Sequence, residues 1–165
     1  MKNCDFDNKD HAFYMNLALE QAREAANDGE VPVGAVAVWD DGEKISVVGV
    51  GRNRREKDKN ALCHAEIEAI NNACRTLGGW RLHKCTLYVT LEPCPMCGGA
   101  IINSRIKRVV FGCRDEKSGS FGSVFDLNSL PLNHKTEIVE GVLEEQCSKE
   151  MSLFFTKLRE KRKKS

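Results

Sequence analysis

Cys63-His64-Ala65-Glu66 and Pro93-Cys94-Pro95-Met96-Cys97 are the two stretches on which the reading of this chain turns. Together they supply one imidazole, two thiols and a nearby carboxyl. Three such ligands hold a zinc ion and leave its fourth place for a water, as catalytic zinc sites do. Structural sites close that place with a fourth protein ligand. His64, Cys94 and Cys97 are the candidate ligands, and Glu66 is left to move protons. Cys94 and Cys97 are three apart at an expected helix start, so both thiols project from one face. The free backbone N–H groups there favour thiolate, the ligand form. His64 also falls in the expected first turn of a helix. Two helix starts separated by one strand can converge on a single metal.

Each half of this pattern has a blander reading. Cys-x-x-Cys alone fits a redox pair or half of a structural zinc site, and His-x-Glu alone arises by chance. The combination in its expected strand and helix context is what specifies a catalytic metal site.

Working outward, the periodicity predicts a helix from Asp10 to Asn27, with Phe13, Leu17, Ala18, Ala22 and Ala25 on its apolar stripe. Val33 to Trp39 and Ile45 to Val50 read as strands joined by the turn at Asp41-Gly42. Arg52 to Lys59 is polar and basic, hence a loop. Asn60 is the expected N-cap of a helix from Ala61 to Leu77, with Ala65, Ala69 and Ala73 on one stripe. Cys85 to Thr90 is a third strand, and Pro95 opens a helix to about Asn103. Arg108 to Phe111 is a fourth strand, Arg114 to Gly122 a loop and Ile138 to Glu140 a last strand. Val142 to about Lys161 is a final helix with Leu143, Cys147, Met151, Phe154 and Leu158 at helical spacing. This alternation predicts one α/β domain over residues 1–165: three α/β/α layers around a mixed, roughly five-stranded sheet.

The chain has 165 residues, 41% hydrophobic and 30% charged, which fits a globular protein. Its net charge is +1, but Thr156 to Ser165 carries six basic residues against one acid, leaving the body negative. The opening Met1-Lys2-Asn3-Cys4-Asp5 has no apolar signal core, and no run is long enough to span a bilayer. A cytoplasmic protein is expected, in which the eight cysteines are not a disulfide framework. The six outside the Cys-x-x-Cys pair read as small buried residues.

At this point the chain resembles a known family. Val31-Pro32-Val33-Gly34-Ala35-Val36, His64-Ala65-Glu66, Leu91-Glu92-Pro93-Cys94-Pro95-Met96-Cys97, Ser104-Arg105-Ile106 and Arg108-Val109-Val110-Phe111-Gly112 are similar to bacterial tRNA-specific adenosine deaminases of the TadA type. Asn133-His134, Glu140-Gly141 and Phe154-Phe155 extend the match, which runs from about His11 to Phe155. The resemblance implies a cytidine-deaminase-like fold, a homodimer, one zinc per subunit, and conversion of adenosine to inosine at the wobble position of a tRNA anticodon. It implies that His64, Cys94 and Cys97 hold the metal and that Glu66 shuttles protons. It implies that Asn53 hydrogen-bonds the flipped base and that Val31 and Pro32 form a pocket wall. Asp115 matches a loop acid near the nucleotide preceding the target. Phe154 and Phe155 match a helix lying along the anticodon stem.

The chain departs from the family where Asp-Pro-Thr-Ala commonly precedes the metal histidine: it has Asn60-Ala61-Leu62-Cys63. Cys63 brings another metal-capable atom near the site and reads as a buried small residue. The loop from Cys113 to Phe121 is bulky and polar, and suits the reading of nucleotides that flank the target.

RNA binding calls for cationic surface. Arg52, Arg54, Arg55, Lys57 and Lys59 crowd the loop ahead of the metal helix, and the basic tail follows the last one. A deaminase of free bases or nucleosides, of guanine or cytosine type, would share the zinc chemistry and need neither cluster. A non-catalytic RNA-binding subunit that keeps zinc would have lost its proton-shuttling acid. A redox protein built on Cys94 and Cys97 would carry no stoichiometric metal.

Overall fold

The computed structural model describes residues 8–165. The polar opening and Cys4 lie outside the described residues. α1 spans Asn8–Asn27. Its inner stripe is Met15, Ala18, Leu19, Ala22 and Ala25, all fully buried. Phe13, expected on that stripe, is 59% exposed. Two residues turn a helix by about 200°, so Met15 facing in leaves Phe13 facing out.

β1 (Gly34–Asp40) and β2 (Ile45–Arg52) form an antiparallel hairpin. Its turn is closed by carboxylates: Asp40 accepts from the Gly42 N–H, and Asp41 accepts from those of Glu43 and Lys44. The register slips between Ala37 and Val38, leaving Val48 as the extra residue of a bulge. The bulge breaks the alternation of β2, so Val48 and Gly49 are both buried in succession.

The basic stretch before the metal helix is not all loop. Arg55–Asp58 forms α2, a single turn closed by Lys59 in the left-handed region at φ 49°. The Glu30 carboxylate accepts from the Lys57 N–H at 2.7 Å, and Asn53 Oδ1 accepts from the Arg55 N–H at 3.4 Å. Polar composition indicates exposure and does not distinguish loop from helical turn.

α3 spans Ala65–Leu77, four residues shorter at its start than the sequence suggests. Asn60 caps a tight turn instead of the helix. Its side chain accepts from the Leu62 N–H at 3.0 Å, and its carbonyl accepts from the Cys63 N–H at 3.1 Å. The N-cap of α3 is His64, with extended backbone at φ −83°, ψ 154°.

β3 (Cys85–Leu91), α4 (Pro95–Asn103) and β4 (Arg108–Cys113) follow, the strands one or two residues longer than expected. Leu127–Ser129 is a short 3₁₀ turn. β5 (Glu137–Glu140) and α5 (Glu144–Lys164) complete the chain.

The sheet order is β2-β1-β3-β4-β5, with β1 antiparallel to both neighbours and β3, β4 and β5 parallel. α3 and α4 cover one face and α1 and α5 the other, giving the expected three layers. Alternate residues of β1 serve both cores: Ala35 and Ala37 pack towards α3, Val36 and Val38 towards α1. That explains the unbroken apolar run at Val33 to Trp39. Arg23 of α1 pairs with Glu150 of α5 at 2.8 Å.

The cysteines divide. Cys85, Cys113 and Cys147 are buried as expected, whereas Cys63 and Cys74 are only half-buried. No helix among the described residues is long and apolar enough to cross a membrane.

Candidate active site

β3 and β4 run in parallel, and the residues at their carboxyl ends, Leu91 and Cys113, line one cavity of about 610 Å³. Such ends are where open α/β sheets bind ligands. His64 and Cys94 hold equivalent positions at its base. Each is the extended N-cap of a helix, α3 and α4 respectively. An extended N-cap turns its side chain away from the helix axis, and the two caps meet. His64 Nδ1 lies 3.7 Å from Cys94 Sγ and 3.5 Å from Cys97 Sγ.

Zinc bonds of about 2.3 Å to sulfur and about 2.0–2.1 Å to nitrogen, in a tetrahedron, put S and N about 3.6 Å apart. The three side chains therefore fit the ion. Among the described residues they alone form a His/Cys/Asp/Glu group with all ligand atoms within 4.8 Å of one another. Cys63, half-buried next door, is outside it.

Without a metal the two thiols behave oppositely. The Cys97 thiol donates towards Cys94, which, with further help from His64, holds Cys94 down at about 4 despite burial. Cys97 is pushed far up by the same hydrogen bond, by burial and by the Glu66 carboxyl. The backbone N–H of Cys97 adds a smaller lowering at Cys94, so the expected help from helix N–H groups is secondary there to the Cys97 thiol. His64 is raised, chiefly by its hydrogen bond with Cys94 and against the effect of burial. Glu66, 4% exposed, is pushed up to about 7 by burial, against the pull of its own backbone N–H and of His64. A buried carboxyl raised towards neutrality, beside a cluster that could hold a metal ion and facing a cavity, is a candidate to take and give a proton.

A family profile, MafB19-like deaminase, matches residues 9–159. The tRNA-specific adenosine deaminase of Bacillus subtilis (strain 168) is 47% identical over 151 residues, 91% of each chain. That of Haemophilus influenzae is 47% identical over 160 residues, 96% of this chain and 88% of the relative. The chain belongs to the tRNA-specific adenosine deaminase family. Among solved structures, one from studies of A-to-I editing by tRNA:A34 deaminases superposes with a TM-score of 0.79 at 40% identity, over 84% of this chain and 98% of that one. The cytidine-deaminase-like fold expected from the sequence agrees with the family.

Of the residues singled out for a deaminase of this family, Val31, Asn53, His64, Glu66, Cys94, Asp115 and Phe155 line the cavity. Cys97 is fully buried at its base. Pro32 is buried outside the lining. Phe154 is half-buried, edge-on to Phe155 at 5.4 Å. The Asn53 amide is already engaged, donating to the Val31 carbonyl at 3.3 Å and accepting from Arg55. One N–H and one lone pair remain for a ligand. The Asp115 carboxylate is also in use, accepting from the Lys117 and Ser118 N–H groups and from the Ser118 hydroxyl.

The basic loop changes meaning in three dimensions. Arg52 and Lys57 pair with Asp28, and Arg54 pairs with Asp58 and Glu68. Lys57 and the Arg54–Asp58 pair tie α2 down, while Arg52 ties the end of β2 to the residue after α1. Arg55 instead lines the cavity.

Two contributions escaped the sequence reading. α5 supplies Ser148, Met151 and Ser152 to the cavity besides Phe155. Glu92, 1% exposed, also reaches it. An acid at the end of an otherwise apolar strand, just before the cysteine turn, was the available signal for Glu92.

Proposed function

We propose that this chain hydrolyses adenosine to inosine at the wobble position of a tRNA anticodon, with zinc as its metal. The observation that carries the reading is His64 Nδ1 within 3.7 Å of two cysteine sulfurs, beside the buried carboxyl of Glu66.

Zinc held by His64, Cys94 and Cys97 would act as the Lewis acid that makes hydroxide available near neutral pH. Glu66 takes a proton from the attacking water and delivers it to the ring nitrogen beside the attacked carbon. It then takes the proton of the newly added hydroxyl and carries it to the amino group, which leaves as ammonia as the carbonyl of inosine forms. Burial keeps that proton from bulk solvent, so Glu66 can hold it between the water and the base. The remaining N–H and lone pair of Asn53 orient the base, and Val31 flanks it.

A base stacked in a duplex cannot enter such a cavity, whereas an anticodon loop presents unpaired ones. Phe155 at the cavity and the basic end of α5 offer a stacking face and phosphate contacts to the adjoining stem. We read residues 1–165 as one deaminase domain with a basic helix end and tail from about 156, acting in the cytoplasm. Val124, Phe125, Leu130 and Leu132 are exposed around the 3₁₀ turn beside α4, which supports a homodimer. A monomer in sedimentation velocity at micromolar concentration would reject that part.

The decisive experiment is incubation with an anticodon stem-loop carrying adenosine at the wobble position, followed by nucleoside analysis. Inosine is expected. No inosine, with turnover of free guanine or cytosine, would replace the reading by that of a free-base deaminase.

A further inference from the structure

Glu92 is more tightly engaged than any group in the proposed reaction requires. Its two carboxylate oxygens receive four donors from one loop. Oε1 accepts from the Phe121 N–H at 3.0 Å and the Ser123 N–H at 3.1 Å. Oε2 accepts from the Asp115 N–H at 3.1 Å and from the Ser123 hydroxyl. Gly119 passes so close that a Cβ there would overlap the carboxyl group. The loop is thus wrapped around one buried carboxylate and has a glycine where wrapping leaves no room.

The same loop carries Asp115, Lys117 and Ser118 to the cavity. Ser120 anchors it a second time, to the cysteine turn: its N–H and hydroxyl donate to the Pro93 carbonyl, and the hydroxyl also reaches the Cys94 carbonyl. Residues 92–94 therefore fix two things at once, the metal ligand Cys94 through the backbone and the cavity rim through the Glu92 side chain. A buried carboxylate satisfied by backbone N–H groups is a rigid support, and the rim would follow any displacement of it.

We propose that Glu92 is a positioning residue that holds the 115–123 loop over the cavity and so sets which nucleotides flanking the target base are accepted. The inference rests on the proposed RNA substrate for its selectivity and on geometry alone for the support of the loop. Glu92→Gln puts an NH₂ against backbone donors and should release the loop. Ser123→Ala removes one donor and leaves the acid, and Glu92→Asp restores two oxygens on a shorter arm.

The test combines hydrogen exchange of the zinc-loaded protein with kinetics on four stem-loops that differ in the nucleotide before the target adenosine. In Glu92→Gln, exchange at residues 115–123 should rise tenfold or more, with α4 protection and metal content retained. KM should rise on the order of tenfold with kcat changed much less, and the spread among the four substrates should narrow. Ser123→Ala should move the same way by less, and Glu92→Asp should recover part of the loss. Unchanged loop exchange in both Glu92→Gln and Ser123→Ala overturns the proposal. So does a parallel fall of kcat and metal content with KM and selectivity intact, since Glu92 would then serve the cysteine turn. If Glu92→Gln fails to fold, unchanged exchange in Ser123→Ala overturns it by itself. A wild-type protein that leaves all four stem-loops untouched rejects the RNA substrate, while the exchange data still decide whether Glu92 supports the loop.

Discussion

Gly51 of β2 lies so close to Ala65 of α3 that a Cβ on the glycine would overlap the alanine's carbonyl oxygen and come within 2.6 Å of the Ala69 N. Gly49 meets Ala69 and Ala73 in the same way one helical turn on. Two glycines of the strand and three alanines of the helix let backbone pack on backbone. This sets the height of α3 above the sheet, and His64 and Glu66 are carried at its first turn. Gly51→Ala should therefore cost about 1–3 kcal/mol, as overpacking of a rigid site does. It should also weaken metal retention, because the histidine is lifted relative to Cys94 and Cys97. Chemical denaturation and metal content after dialysis check both; a stable, fully loaded Gly51→Ala variant would contradict the account.

Glu66→Gln keeps the shape of the side chain and removes its proton transfer. With zinc retained, turnover should fall by about 10²–10⁴-fold. Near-normal turnover would reduce Glu66 to a residue that only orients His64. The same variant tests the raised pKa of Glu66. In the metal-free protein the folded state holds a proton on Glu66 that the unfolded chain releases near its ordinary value, so wild-type stability should fall as pH rises from about 4.5 to about 7. Glu66→Gln lacks that loss and should gain on the wild type by up to roughly 3 kcal/mol at neutral pH, with no gain below about pH 4. Urea midpoints of both proteins across that range read the difference.

What the sequence made legible follows from what each signal measures. The alanines of α3 at four-residue spacing and the unbroken apolar run of β1 report burial, and both faces they predicted are buried. Pro95 fixed the start of α4 because proline is preorganised for a first helical turn. The start of α3 was misplaced because Asn60 caps a turn as readily as a helix, and only the extended backbone of His64 resolves the two. The cluster of His64, Cys94 and Cys97 was visible because its spacing is local within each half. The service of Glu92 to the 115–123 loop was not, since its four donors lie 23 to 31 residues away and leave no periodic trace. Likewise the acids that neutralise Arg52, Arg54 and Lys57 are mostly remote in sequence.

Metal binding must displace protons. His64 is raised and Cys97 is pushed far up in the metal-free site, while Cys94 at about 4 is already a thiolate near neutrality. Zinc needs neutral imidazole and both thiolates, so its apparent affinity should climb with pH. Loss of two protons sets an upper slope of about two orders of magnitude per pH unit, falling to about one once His64 is neutral. Competition with a chromophoric chelator at several values between pH 6 and 8 measures it. A flat profile would mean that the site is already deprotonated. Stripping the bound metal should also lower thermal stability, by mass action on the folded state.

Removing Lys161 to Ser165 deletes four cations and leaves the cavity intact. The preceding part of α5 lines that cavity through Ser148, Met151, Ser152 and Phe155. At about 1.5 Å per residue, the deleted cations start about 9 Å along the helix from Phe155, within reach of a stem whose loop occupies the site. The truncated protein should bind the anticodon stem-loop more weakly. The salt dependence of its affinity should flatten by about 0.9 for each duplex phosphate that is no longer neutralised, hence by at most about 4. Metal content and any turnover of free adenosine should not change, because the exposed end of α5 touches neither His64 nor Glu66. Fluorescence anisotropy between 50 and 200 mM salt separates the cases. Equal affinity and equal slope would remove the tail from the RNA interface and leave Arg55, the arginine at the cavity from the basic loop, as the cation to test next.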